Sequence, residues 1–424
     1  VKIQKTGSSR LLPKILVPAV AISVALAGCS SSDTPKEEAS SSATSSKASQ
    51  TLANGEVVAV NLFDPSPENQ AATIRNYDKL PGIGTRVISA DPGRSTPLER
   101  SAKPLGEVSF MAKGKDYNLD SYFAKFPIGG LLVLKDGEIA YEKYGLGNTD
   151  QTKWTSMSIA KSVTSTLIGA AVKDRLIASI DDPVTKYLPE LSQSVYKDNT
   201  IKQLLSRSSG VRWDETGHSV GGNSEISQYF AAINSGKPEA MMNLMKSSVR
   251  VARPDGRHNY NTGEYFLLTE ILSRATKKTA SDYLSEKIWK PVGMEKDGYW
   301  LLDSPGGGEL GGTSFSATLR DFGRYGQFIL NRAPGAVSDG WINEAATPKA
   351  VNGGDYGYGW RTQVASNYDP RKPDLLPFGH EGLFGQKLYI DPLRNIVIVQ
   401  WGGYVNQDDP AWTAAREAIV ASLG

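Results

Sequence analysis

The chain has 424 residues, with 47 Lys plus Arg, 45 Asp plus Glu, three histidines and one cysteine. Its length allows two or three structural units, and 39% hydrophobic against 22% charged residues describes an ordinary globular chain with enough apolar surface for a core. One cysteine excludes a disulfide scaffold and any Cys-rich zinc or iron–sulfur site, three histidines (His218, His258, His380) leave little for a metal centre, and near-neutral charge offers nothing to nucleic acid.

Four bases (Lys2, Lys5, Arg10, Lys14) and no acid occupy the first 28 residues, so the rest carries 43 bases against 45 acids. The apolar run from Ile15 to Gly28 is shorter than the roughly 20 residues that span a bilayer. A basic start, a short apolar run and small residues before a cut read as a secretory signal over residues 1–28. Leu26-Ala27-Gly28-Cys29 resembles the bacterial lipobox, and the chain's one cysteine stands at the position that motif lipidates. The resemblance implies a cell-envelope lipoprotein held to a membrane by a lipid anchor on Cys29 and facing the periplasm. Ser30, rather than an aspartate, favours the outer membrane. Residues 29–52 then read as a tether, since nine serines between 30 and 50 leave too little apolar surface to fold. A globular domain is expected over 53–424, with Pro- and Gly-rich residues 51–105 wrapping it as irregular coil.

Leu131–Lys135, the Asp136-Gly137 turn and Glu138–Tyr141 predict a tight β-hairpin. Ser158–Val172, apolar on nearly every side, predicts a buried helix. Further helices are expected over Glu264–Ala275 and residues 317–331. A second hairpin is expected from Lys387–Ile390 and Ile396–Trp401 across a five-residue loop. A last helix follows between Pro410 and Leu423, with Trp412, Ala415, Ile419 and Val420 on one face. Strands, then helices, then strands argue an α+β fold in which both ends of the sequence share one antiparallel sheet. The sheet part is expected at about 106–180 and 291–424, and the helical part at about 181–290.

Several motifs fail on context. Gly306-Gly307-Gly308-Glu309-Leu310-Gly311 fits a dinucleotide pattern literally but opens no βαβ unit, and reads as a flexible loop. His380-Glu381 has Phe384 where a metalloprotease needs its second histidine. No G-x-S-x-G and no Walker loop occurs. Ser158-Ile159-Ala160-Lys161 remains. Three residues apart on a helix, a serine oxygen and a lysine nitrogen can meet. Serine needs such a neighbouring base, and a lysine that titrates near 10.4 serves only if burial or nearby positive charge lowers that value. The helix start also offers free amides and a positive dipole to a developing oxyanion. A second copy, Ser194-Val195-Tyr196-Lys197, lies in a polar stretch and reads as surface. Tyr260, in Asn259-Tyr260-Asn261-Thr262-Gly263, is placed to act as phenolate or relay beside Lys161, with Tyr404 as its rival. Gly379-His380-Glu381-Gly382-Leu383-Phe384-Gly385 supplies glycines that let an edge strand approach a substrate closely.

In this order the segments resemble the serine β-lactamase/penicillin-binding superfamily, nearest to the class C β-lactamase-related branch with its esterases and 6-aminohexanoate-dimer hydrolases. Leu132-Val133-Leu134-Lys135-Asp136-Gly137, Asp181-Asp182-Pro183-Val184, Leu204–Val211 and Tyr260–Glu264 carry the likeness beside the serine motif. The resemblance implies a β-lactamase/transpeptidase-like fold, an antiparallel sheet flanked by helices with a helical region inserted. It implies a serine hydrolase of small amides or esters. Ser158 would form an acyl-enzyme, Lys161 and Tyr260 would share the proton work, and the backbone amides of Ser158 and Leu383 would form the oxyanion hole. No cofactor or metal is required. His380-Glu381-Gly382 stands where β-lactamases of this branch carry Lys-Thr-Gly, and Tyr260-Asn261-Thr262 where they carry Tyr-x-Asn. Both departures favour an esterase or amidase, with substrate contacts expected from His380, Glu381, Gly382, Thr262 and Asp214. Within Trp213-Asp214-Glu215 an acid would hold a substrate amine. A β-lactamase or D-amino-acid peptidase, and a non-catalytic binder of cell-wall fragments, stay as alternatives.

Overall fold

Alternation of side chains along the Ile128–Lys135 strand explains the layering. Leu132 and Leu134 point into one apolar cluster, Leu131 and Val133 into another, and all four are fully buried. A strand covered on both faces reads as a continuous apolar run, as this one does. The computed structural model describes residues 48–424 except 64, 81, 218–221, 350–354, 363–375 and 406–408. The expected signal segment, Cys29, most of the tether, His218 and Asn406 lie outside the described residues. Among the described residues no helix is long and apolar enough to cross a membrane.

The central sheet has six antiparallel strands. From one edge they are Arg361–Thr362, Phe378–Gly382, Gln386–Asp391, Ile396–Gly402, Ile128–Lys135 and Glu138–Tyr144. Ile396–Gly402 pairs directly with Ile128–Lys135, setting Val399 opposite Leu132, so the two ends of the sequence do meet in one sheet. The first hairpin turns through Asp136 and Gly137 at φ +53° and +86°, the left-handed pair that a tight two-residue turn demands. One face of the sheet packs on the Leu319–Leu330 helix and the interior that holds Ala160–Lys173. The other carries the Trp412–Ser422 helix, which buries Trp412, Ala415 and Ile419 and leaves Val420 half-buried.

Residues 181–290 carry most of the inserted helices, with Gly263–Thr276 packed against Ala160–Lys173. The latter helix buries every residue from Ala160 to Ala171. Two of its hydroxyls find partners on the loops around it. Ser162 Oγ donates to the Gly359 carbonyl at 2.6 Å and Thr164 Oγ1 to the Gly311 carbonyl at 2.8 Å. These bonds satisfy buried polar groups and fix two loops beside the helix.

Residues 51–105 differ from the expected coil. Ser49–Thr51 pairs with Val57–Ala59, so ordered structure begins inside the expected tether. Gln70–Arg75 is helical, and Thr85–Ile88 is an edge strand of a second sheet with Gly298–Leu301, Phe315–Ala317 and Trp154–Thr155. Elements this short, set in a Pro- and Gly-rich stretch, have too little periodicity to be seen in sequence, and tertiary pairing and packing decide them. Residues 306–311 form an ordered loop rather than a flexible one. Glu309, 1% exposed, pairs with Arg86 at 2.9 Å and accepts from the Ser281 amide.

Candidate active site

The second sheet delivers the serine. Trp154–Thr155 pairs with Phe315–Ala317, the Ser156 amide bonds the Phe315 carbonyl, and a 3-10 turn over Met157–Ile159 then feeds the buried helix. Met157 holds φ +47°, a left-handed backbone uncommon for such a residue. Ser158 emerges at this turn, half-buried, on the wall of a cavity of about 400 Å³.

Lys161 follows one helical turn later and is fully buried. Its Nζ donates to Ser158 Oγ at 3.1 Å and to the Gly312 carbonyl at 2.6 Å, and lies 5.0 Å from the Tyr260 ring centre. A side chain at Gly312 would collide with the Thr262 backbone, so the carbonyl reaches the lysine because that residue has none. Burial holds the ammonium below its ordinary value, with the Arg207 charge adding to it and Tyr260 and Glu215 opposing. Tyr260 precedes the Gly263–Thr276 helix, and its hydroxyl interacts with both Ser158 and Lys161. Burial pushes that phenol up, but the Lys161 and Arg207 charges and the Ser158 hydrogen bond outweigh it, so it sits below its usual range.

Thr262, Glu381, Gly382 and Leu383 also line the cavity. His380 and Asp214 do not. Alternation along the Phe378–Gly382 strand turns His380 inward, fully buried, where its Nδ1 donates to the Glu381 carbonyl at 2.7 Å and its Nε2 accepts from Arg207. Burial first, then Arg207, Arg361 and Lys161, keep this imidazole neutral. Glu381, on the opposite face, pairs with Lys387 at 3.0 Å. Asp214 is exposed and accepts from the Thr216 amide and hydroxyl at 2.8 and 2.6 Å, a local turn contact. Its neighbour Glu215 does stand on the cavity wall, with Oε1 held by the Trp213 indole and the Thr262 amide.

Tyr404 packs away from the cavity beside Tyr122 and Trp412. In the second serine–lysine motif, Ser194 is buried as a cap, donating to the Leu191 carbonyl and accepting from the Tyr196 amide, while Lys197 is exposed. Sequence reasoning missed Phe63, Phe230, Arg361 and Lys387 on the wall and Arg207 behind it. None belongs to a short motif, although Arg207 lies inside Leu204–Val211. Among the described residues no group of three His, Cys, Asp or Glu gathers to hold a metal.

Residues 119–423 match the family described as Beta-lactamase, nearly three quarters of the chain. The chain belongs to the β-lactamase family. It is a serine hydrolase of that family, within the serine β-lactamase/penicillin-binding superfamily. This family member is 26% identical over 385 residues to a 6-aminohexanoate-dimer hydrolase of Paenarthrobacter ureafaciens, covering 86% of this chain and 93% of that one. Its fold matches a candidate 6-aminohexanoate-dimer hydrolase from Bacillus anthracis at TM-score 0.73 and 18% identity, over 83% and 93% of the two chains. It also matches the octameric penicillin-binding protein homologue from Pyrococcus abyssi at TM-score 0.58 and 22% identity, over 72% and 76%.

Proposed function

We propose that this hydrolase cleaves short linear amides of the 6-aminohexanoate-dimer type through an acyl-enzyme on Ser158. The observation that carries the proposal is the 3.1 Å contact between Ser158 Oγ and a fully buried Lys161 at the wall of the cavity. A lysine held below its ordinary value is brought closer to the neutral form that can take the serine proton. Ser158 Oγ attacks the amide carbonyl, and its proton passes to the Lys161–Tyr260 pair. The amides of Ser158 and Leu383 receive the oxyanion, the leaving amine takes the proton, and water then releases the acyl group. The mixed lining supports a substrate charged at both ends. Glu215 suits its ammonium, Arg361 its carboxylate, and Phe63, Ile226 and Phe230 its methylenes.

The test is release of free amine from linear 6-aminohexanoate dimer by residues 30–424, wild type beside Ser158→Ala. Turnover confined to the wild type is expected. Equal turnover in both, or none by the wild type on any short amide or ester, would overturn the reading. We further propose that Cys29 carries the lipid anchor of an envelope lipoprotein facing the periplasm, supported by the lipobox-like run and the Ser-rich stretch after it. Mass spectrometry of membrane-extracted protein should find acylated Cys29, and Cys29→Ser should move the protein to the soluble fraction. An unmodified Cys29 at the membrane would sink the anchor.

A further inference from the structure

Behind the cavity wall lies a buried cation that the hydrolytic steps above leave unused. Arg207 follows the Ile201–Leu205 helix, holds φ +58° and is 1% exposed. A left-handed backbone under a long side chain costs energy, so its surroundings must impose it. The guanidinium carbon lies 3.5 Å from the ring centre of Tyr260 and 3.4 Å from that of Tyr356, a flat cation between two aromatic faces. Nη2 donates to Nε2 of His380 at 3.3 Å, and the Nδ1 bond to the Glu381 carbonyl leaves Nε2 free to accept. Nε and Nη1 have no hydrogen-bond partner among the described residues. Packing alone would be served better by Met or Leu, which leave no orphaned donors.

We propose that Arg207 is a positioning residue for the proton relay: clamped between Tyr260 and Tyr356 and tied to His380, its guanidinium holds the Tyr260 hydroxyl against Ser158 and Lys161 and sets a fixed positive charge beside them. This rests on Ser158 acting as the nucleophile. As Oγ bonds to the carbonyl carbon, its proton moves to the Lys161–Tyr260 pair, and the same proton reaches the leaving nitrogen as the C–N bond breaks. A fixed neighbouring cation adds to burial in lowering Lys161 and favours ionisation of Tyr260, so the pair accepts the proton without holding it too tightly. Tyr260 also faces Glu215, Tyr265 and Arg361, while Tyr356, His380 and Glu264 surround Arg207.

The experiment is the pH profile of kcat/KM on p-nitrophenyl butyrate for wild type, Arg207→Met and Arg207→Lys, each with its Tm. Without the charge Lys161 and Tyr260 both titrate higher, so the acid limb of Arg207→Met should move up by about one pH unit and its plateau fall at least about tenfold. Arg207→Lys keeps a charge but not the planar fork, so its plateau should fall while the limb stays in place. An unmoved limb in Arg207→Met, or the same displacement in both variants, overturns the proposal. Should Arg207→Met not fold, Tyr356→Leu takes its place. It removes one side of the clamp and leaves the charge, so the plateau must fall about tenfold with the limb unmoved, and a wild-type plateau overturns the proposal. Failure of the nucleophile itself is recognised in the wild type alone, by absence of both turnover and a phosphonate label on Ser158.

Discussion

Phe63 lies well upstream of the family-matched residues 119–423, yet its ring forms part of the cavity wall. It stacks on Phe230 at 3.9 Å with 9° between the planes, and meets Tyr77 edge-on at 6.2 Å. Phe63→Ala removes that ring. A buried Phe→Ala change costs about 3–5 kcal/mol, and a stacked aromatic pair adds roughly 0.5–1.5 kcal/mol beyond its area. Because the vacated space joins an open cavity that water or substrate can fill, the lower end, about 3 kcal/mol, is expected. The same space admits substrate. Each methylene buried there contributes about 0.8 kcal/mol, roughly fourfold in kcat/KM. Two or three more methylenes should therefore raise the octanoate-to-butyrate ratio by up to about 16- to 60-fold. The assay is kcat/KM for p-nitrophenyl esters from acetate to decanoate, with thermal denaturation of both proteins. A ratio within about twofold of wild type in a folded variant would refute the claim that this segment shapes the site.

Lys161→Met should cut turnover by about 10²- to 10⁴-fold, and its stability relative to wild type should depend on pH in a defined direction. A lysine whose folded value is depressed makes the wild type lose stability as pH falls from its unfolded value near 10.4 through its folded value, so the variant's advantage should be largest in acid and shrink toward pH 10. Denaturant midpoints at both extremes check this, and a constant difference would refute it. Glu264 is fully buried and burial raises its carboxyl to about 8. The stability of its neutral form is fully present below about 4.3 and lost as pH rises through 8, so Glu264→Gln should stabilise the fold by a few kcal/mol at pH 9 and hardly at pH 5. Equal Tm shifts at the two pH values would sink that assignment. Gly359 holds φ +72° and a Cβ there would stand 2.6 Å from the Lys161 carbonyl. Gly359→Ala should cost about 2 kcal/mol or more and lower kcat by disturbing the turn that carries Lys161, whereas a wild-type Tm and rate would show that the loop yields freely.

The layout of the fold was legible wherever local chemistry and long-range packing agree. The Asp136-Gly137 turn needs left-handed backbone at both residues, and the run before it is apolar enough to be buried on both faces. The second hairpin, the buried helix and the helix beginning at Trp412 follow the same logic. Thr85–Ile88 was not legible. Its strand state depends on pairing with Gly298–Leu301, more than 200 residues away, and its four residues carry no period long enough to read. The loop at 306–311 looked mobile for its glycines. A buried Glu309 paired to Arg86 anchors it, and that partner is also visible only in space.

The site divides along the same line. Ser158 and Lys161 meet because an i,i+3 spacing on a helix brings them together whatever the rest of the chain does, so the motif itself carries the geometry. Whether the lysine can act as a base is a different question, decided by what surrounds it. The largely apolar character of the helix foretold the desolvation, but the second positive charge comes from Arg207, 46 positions away and held by two tyrosines from still later segments. His380 illustrates the opposite error. Its place beside two glycines suggested a substrate contact, yet one step along a strand reverses the face, so Glu381 reaches the cavity and His380 meets Arg207 instead. Asp214 and Glu215 differ by the same single step. Residue type and spacing thus locate the reacting atoms. The parity of a strand or loop, set by packing hundreds of residues apart, decides which neighbour touches the substrate and which tunes the base.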